Sequence, residues 1–115
     1  SDSDIDTNTD IEVADYATAI LGYWYMVRTT KDDGSGEKII SKCPDTDEFS
    51  KFAIFGTDGL FKNGYTCESG VATWDYNVAG DVLVIEDNVL RIMTLTENEL
   101  TVIYQSQDLI EYYER

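Results

Sequence analysis

Cys43 and Cys67 are the chain's only thiols, and histidine is absent. Neither cysteine sits in a CxxC, and two cysteines without histidine cannot complete a zinc site. The lack of histidine also removes the commonest general base and proton shuttle. In an exported protein the two cysteines are expected to pair, whereas a reducing cytosol would leave both as free thiols. Closing a loop of about 25 residues would stabilise the fold by about 3.5 kcal/mol in the chain-entropy model.

Carboxylates are the other groups that could do chemistry. Asp2, Asp4, Asp6, Asn8 and Asp10 recur at every second position, as calcium ligands do in an EF-hand loop. Such a loop needs Gly at its sixth position and a bidentate Glu at its twelfth. This chain has Thr7 and Val13 there, so the run reads as a solvated acidic tail and no metal is expected. Asp32-Asp33 falls in a glycine loop, and Asp45, Asp47 and Glu48 follow the single proline, Pro44. Two carboxylates can share acid and base roles when rigid elements hold them at working distance. Flexible loops do not, and no nucleophile constellation is present. No catalytic residue, no cofactor and no enzyme activity is expected.

The charge balance narrows the partners. Acids outnumber bases 23 to 8, a net charge of -15. Phosphate backbones and anionic lipid surfaces are recognised by Lys/Arg clusters, so neither is an expected partner. No apolar run approaches the ~18 residues of a membrane-spanning helix. The segment 1–10 contains one apolar side chain, Ile5, and is expected to be a disordered acidic tether. The domain proper is expected over 11–115. A start at Ser-Asp-Ser-Asp without an initiator Met suggests a mature exported protein or lipoprotein whose leader has been removed.

The elements that would position any site are strands. From Gly22 onward apolar residues recur with period two, and turn signals come about every ten residues. Strands are expected at Gly22 to Thr30, Lys38 to Lys42, Glu48 to Phe55, Leu60 to Cys67, Val71 to Asn77, Val82 to Glu86, Val89 to Thr96, Glu99 to Gln105 and Leu109 to Glu114. Asn63-Gly64 reads as a hairpin or bulge inside the fourth, and Asp87-Asn88 as the turn between the sixth and seventh. Short connections favour an antiparallel meander, and eight strands in a meander can close into a barrel without free edges. A β-sandwich is the alternative. Before the strands, Ile11, Ala14, Ala17, Ile20 and Leu21 have helical spacing with Asp10 as N-cap, which predicts a short helix at one mouth of the barrel.

At the helix-to-strand junction, Leu21-Gly22-Tyr23-Trp24 resembles the Gly-x-Trp signature of lipocalins. Gly22 would let the chain turn into the strand, and Trp24 would plug the closed end. Arg115, after Glu111-Tyr112-Tyr113-Glu114, is placed like the basic residue that packs on that Trp in lipocalins. Phe55-Gly56-Thr57-Asp58-Gly59-Leu60-Phe61, Ala72-Thr73-Trp74-Asp75-Tyr76 and Ile92-Met93-Thr94-Leu95-Thr96 are similar to the small lipocalin-like domains secreted by gut-dwelling Gram-negative bacteria. The long C-terminal helix and the Thr-Asp-Tyr motif of longer lipocalins have no counterpart. The resemblance covers roughly Leu21 to Arg115. It implies an all-β, eight-stranded up-and-down barrel, and export to the periplasm or cell surface. It also implies a lipid anchor upstream of residue 1.

On such a barrel the candidate site is its lining. Alternation from Trp24 turns Met26 and Arg28 inward, and Phe55, Phe61, Trp74, Tyr76 and Tyr104 are expected to join them. An aromatic lining suits a small lipophilic or aromatic molecule, with Arg28 meeting a carboxylate. The competing reading is that these side chains fill the interior. The outer surface would then act as a protein-interaction or inhibitor module, with Tyr23, Tyr25, Tyr65 and one of Tyr112 and Tyr113 facing a partner protein.

Overall fold

The computed structural model describes residues 16–104 and 106–115. The expected tether and the Asp10 cap lie outside the described residues, as does the first part of the expected helix. What is described opens with α1 (Tyr16–Ala19), followed by nine strands. These are β1 (Gly22–Lys31), β2 (Lys38–Ile39), β3 (Lys51–Phe55), β4 (Leu60–Tyr65), β5 (Val71–Ala79), β6 (Val82–Ile85), β7 (Asn88–Leu95), β8 (Glu99–Tyr104) and β9 (Leu109–Glu114). From β3 to β9 each strand pairs with the next in sequence. Strand β1 pairs with both β3 and β9 and so closes eight strands into an antiparallel barrel. Strand β2 is a two-residue addition beside the upper part of β1.

Two turn signals are read differently by the fold. The β6–β7 hairpin turns at Glu86-Asp87, one residue earlier than expected, because Ile85 pairs with Asn88 and Leu83 with Leu90. This register keeps Leu83, Ile85, Leu90 and Ile92 together in the core, whereas a slip of one would turn them to solvent. Asn63-Gly64 makes no turn, and β4 runs straight through it, paired to β3 and β5 on either side. Gly64 serves close packing instead. A Cβ there would stand 2.8 Å from the carbonyl oxygen of Gly70 and 3.2 Å from the ring of Phe52.

The core fills one end of the barrel. Trp24, Ala53, Phe55, Phe61, Leu83, Leu90, Leu100 and Val102 are all buried, and each large apolar side chain so buried stabilises by about 1.5–3 kcal/mol. Below them Trp24 donates Nε1–H to the carbonyl of Ile20 at 2.8 Å. The Arg115 guanidinium lies 3.9 Å from the Trp24 ring centre. The same guanidinium donates to the carbonyls of Leu21 (2.7 Å), Ala19 (3.0 Å) and Glu97 (2.8 Å). It thereby satisfies carbonyls that the end of α1 leaves open. Gly22 makes this entry possible. Its φ is +116°, and a Cβ would sit 3.1 Å from an Arg115 nitrogen.

Candidate functional site

The opposite end of the barrel is open. Register places Asn63, Ala72 and Trp74 on the inner face, level with or above Phe61. Phe61 is 5% exposed, yet Trp74 beside it is 41% exposed. Inner-face side chains that solvent reaches mean the upper interior is not filled. A cavity of about 430 Å³ opens there, lined by Met26, Lys51, Asn63, Ala72, Glu111 and Tyr113 among others. A recess of about 210 Å³ lies alongside, lined by Phe61, Trp74, Asn88 and Tyr104, and Asn63 borders both. Cavities of roughly 300–1,000 Å³ are the usual size for small-molecule sites.

Lining residues expected from alternation fall into three groups. Met26, Trp74 and Tyr104 border the open space. Phe55 and Phe61 are buried with ring centres 5.0 Å apart, and Phe61 also forms part of the wall of the recess. Tyr76 packs edge-on to Phe55 and donates its hydroxyl to the Gly56 carbonyl at 2.7 Å, on the floor rather than in the mouth. Arg28 corrects the expectation. Between Met26 and Arg28 the β1–β9 register shifts at a bulge, leaving Val27 unpaired, so the alternation inverts. Arg28 stands outside, 3.6 Å over the Tyr112 ring and 3.1 Å from Glu37.

The bulge also decides between the last two tyrosines. Met26 pairs with Tyr113 and Arg28 with Tyr112, so Tyr113 faces in and Tyr112 faces out. Two residues before Tyr113, on the same inner face, is Glu111, which alternation had not singled out. Glu111 pairs across β8 with the buried Val102. Its Oε1 accepts the Tyr113 hydroxyl at 2.8 Å. Burial raises the Glu111 carboxyl above the ordinary carboxylate range, against the lowering effects of the Tyr113 hydroxyl and of Lys51. Burial and the Glu111 charge together push both Tyr104 and Tyr113 upward. A signal for Glu111 did exist: Leu109, Glu111 and Tyr113 share one parity on the last strand.

The raised carboxyl makes a pH prediction. Folding increases Glu111's proton affinity, so the folded chain disfavours the charged form. Stability is then lost as pH rises from the unfolded carboxylate range, about 4.3, through the folded value. Glu111→Gln cannot ionise, keeps the shape and can still accept the Tyr113 hydroxyl. We expect it to be more stable than wild type in urea denaturation near neutral pH, with the difference disappearing below about pH 3. Equal stability at both pH values would remove the claim.

Acidic groups weighed for catalysis stand elsewhere. Asp33 accepts the Ser35 amide (2.9 Å) and hydroxyl (2.6 Å) in an exposed turn. Glu48 accepts the Tyr25 hydroxyl at 2.6 Å on the outer face. Among the described residues no three Cys, Asp or Glu side chains converge to hold a metal ion. No described helix is long and apolar enough to cross a membrane. Cys43 and Cys67 form a disulfide that ties the β2–β3 loop to the β4–β5 loop, both at the open end.

Comparison with solved structures then decides the fold. A lipocalin-like protein from Bacteroides uniformis superposes with a TM-score of 0.63 over 84% of this chain and 98% of its own, at 14% identity. The chain has a lipocalin-like fold. No protein-family model and no curated protein matches it. In this lipocalin-like barrel the Trp24–Arg115 contact marks the closed end, and the Met26–Glu111–Tyr113 cavity the open one.

Proposed function

We propose that the chain binds a small lipophilic or aromatic molecule in the open half of its barrel. The observation that carries this reading is Trp74, a large aromatic that register turns inward yet leaves 41% exposed. Leaving such a surface in water forgoes about 1.5–3 kcal/mol that filling the space would recover. The cavity beside it adds apolar and hydrogen-bonding groups in the mixture that small-molecule sites use. A binding role rather than a catalytic one is supported by the lipocalin-like fold. The disulfide supports an exported setting, at the periplasm or cell surface, where such bonds persist. A partner on the outer face has less support: Tyr25 is held by Glu48, and Tyr23 lies stacked on Phe52.

The test uses N-phenylnaphthylamine, a neutral aromatic probe that brightens when it leaves water. Wild type is expected to bind it in the micromolar range, about -8 kcal/mol. Ala72→Trp, which places an indole inside the mouth, is expected to abolish the signal. Arg28→Ala is expected to leave it unchanged because Arg28 stands outside. Equal binding by wild type and Ala72→Trp would place the probe on the surface and end the reading.

A further inference from the structure

The interior carboxylate is the least expected group in the molecule. A buried charge normally has a partner, because desolvation costs several kcal/mol per ion. Among the described residues Glu111 has one hydrogen bond, from Tyr113 to Oε1, and no Lys or Arg forms an ion pair with it. The segment 1–15 carries no Lys or Arg that could supply one. Oε2 accepts no hydrogen bond from a described residue, and it is not sealed away, since Thr66 Oγ1 is the one described side-chain polar atom both buried and unpaired. The unpartnered oxygen is therefore reached from the cavity that Glu111 lines.

The groups around it are those that hold a cation. Tyr113 and Tyr65 border the same cavity. Tyr104 is near enough for the Glu111 charge to raise its hydroxyl. Aromatic faces and a carboxylate together attract an ammonium group, each through its negative potential. Two lysines face this region. Lys51, from β3, holds its ammonium 5.8 Å over the Tyr65 ring rather than on Glu111. Lys31, from β1, packs its stem against the Gly36 turn. Val102 on β8 and Thr29 on β1 are the direct neighbours of Glu111 across the sheet, and neither carries charge. The net charge of -15 favours the approach of cations over anions.

We propose that Glu111 is an ammonium anchor, and that the barrel takes a flat apolar or aromatic body carrying one protonated amine. This rests on the reading that the cavity binds a small molecule. The body lies along Met26, Ala72 and Trp74, and the ammonium meets Oε2 of Glu111 beneath the tyrosines. Binding supplies Glu111 with a direct ion-pair partner, which Lys51, held over the Tyr65 ring, does not provide.

Two probes of one shape test it: naphthylmethylamine, protonated at neutral pH, and naphthylmethanol, always neutral. Calorimetric titration of wild type is expected to favour the amine by roughly 10- to 100-fold, the range for a hydrogen bond to a charged group. Glu111→Gln is expected to bring the two within about threefold, while its circular dichroism spectrum and a cooperative urea transition show that it is folded. Wild-type preference is also expected to shrink as acid protonates Glu111. Equal affinity for both probes in wild type, or an unchanged preference in Glu111→Gln, would overturn the anchor and leave the binding reading standing. If no probe binds, N-phenylnaphthylamine included, both fall.

Discussion

Trp24→Ala is expected to lower stability by about 3–5 kcal/mol, the range for truncating a fully buried Trp. Trp24 has no exposed surface, and its loss would open a void at the base of the core. The void would also strip the ring from beneath Arg115 and leave the Ile20 carbonyl without its donor. For a domain whose total stability is about 5–15 kcal/mol, this approaches global unfolding. Trp24→Phe would keep most of the apolar volume and lose the Nε1–H bond, a smaller cost of about 1–3 kcal/mol. Urea denaturation followed by circular dichroism would read both. A Trp24→Ala midpoint within error of wild type would show that the closed end is not what holds the barrel together.

The disulfide carries the second large effect. Cys43 and Cys67 are 24 residues apart, and a bond of that span is expected to contribute about 3.5 kcal/mol by restricting the unfolded chain. The other ties of its two loops are mostly exposed hydrogen bonds: Ile40 to Val27, Cys43 to Glu48, Ser50 to Ser41, Thr66 to Ser50, Tyr25 to Glu48 and the Lys42–Phe49 bridge, beside the two paired residues of β2. The Cys43→Ser, Cys67→Ser double variant is therefore expected to lose that stability and to become protease-sensitive first between β2 and β3. Wild type in strong reductant should behave the same way. A double variant as stable and as resistant as oxidised wild type would mean the loops hold themselves.

Most strands were legible because the chain repeats one physical signal. From Phe55 to Tyr113 most inward-facing side chains are apolar and share one parity on their strand, with Asn63 and Glu111 as polar exceptions and a bulge after Ile92 shifting β7. The last strand, Leu109–Glu114, begins and ends where alternation puts it. Arg28 was misplaced by one residue of geometry. Bulges have no reliable sequence signature, and the one after Met26 inverts everything above it. Asn63-Gly64 misled for another reason: the glycine answers a close approach of Gly70 and Phe52, which only the folded sheet creates. Glu111 was hidden by composition, since one acid among 23 reads as a solvated charge unless its neighbour's direction is known.

Central to the account is that the upper half of the barrel is a binding chamber. Native mass spectrometry tests this most directly, on wild type and Ala72→Trp each recovered from its own host cells. Wild type is expected to carry one extra small-molecule mass, released by organic solvent and basic in character, while Ala72→Trp carries none. Wild type recovered without any bound mass, like Ala72→Trp, would contradict the chamber.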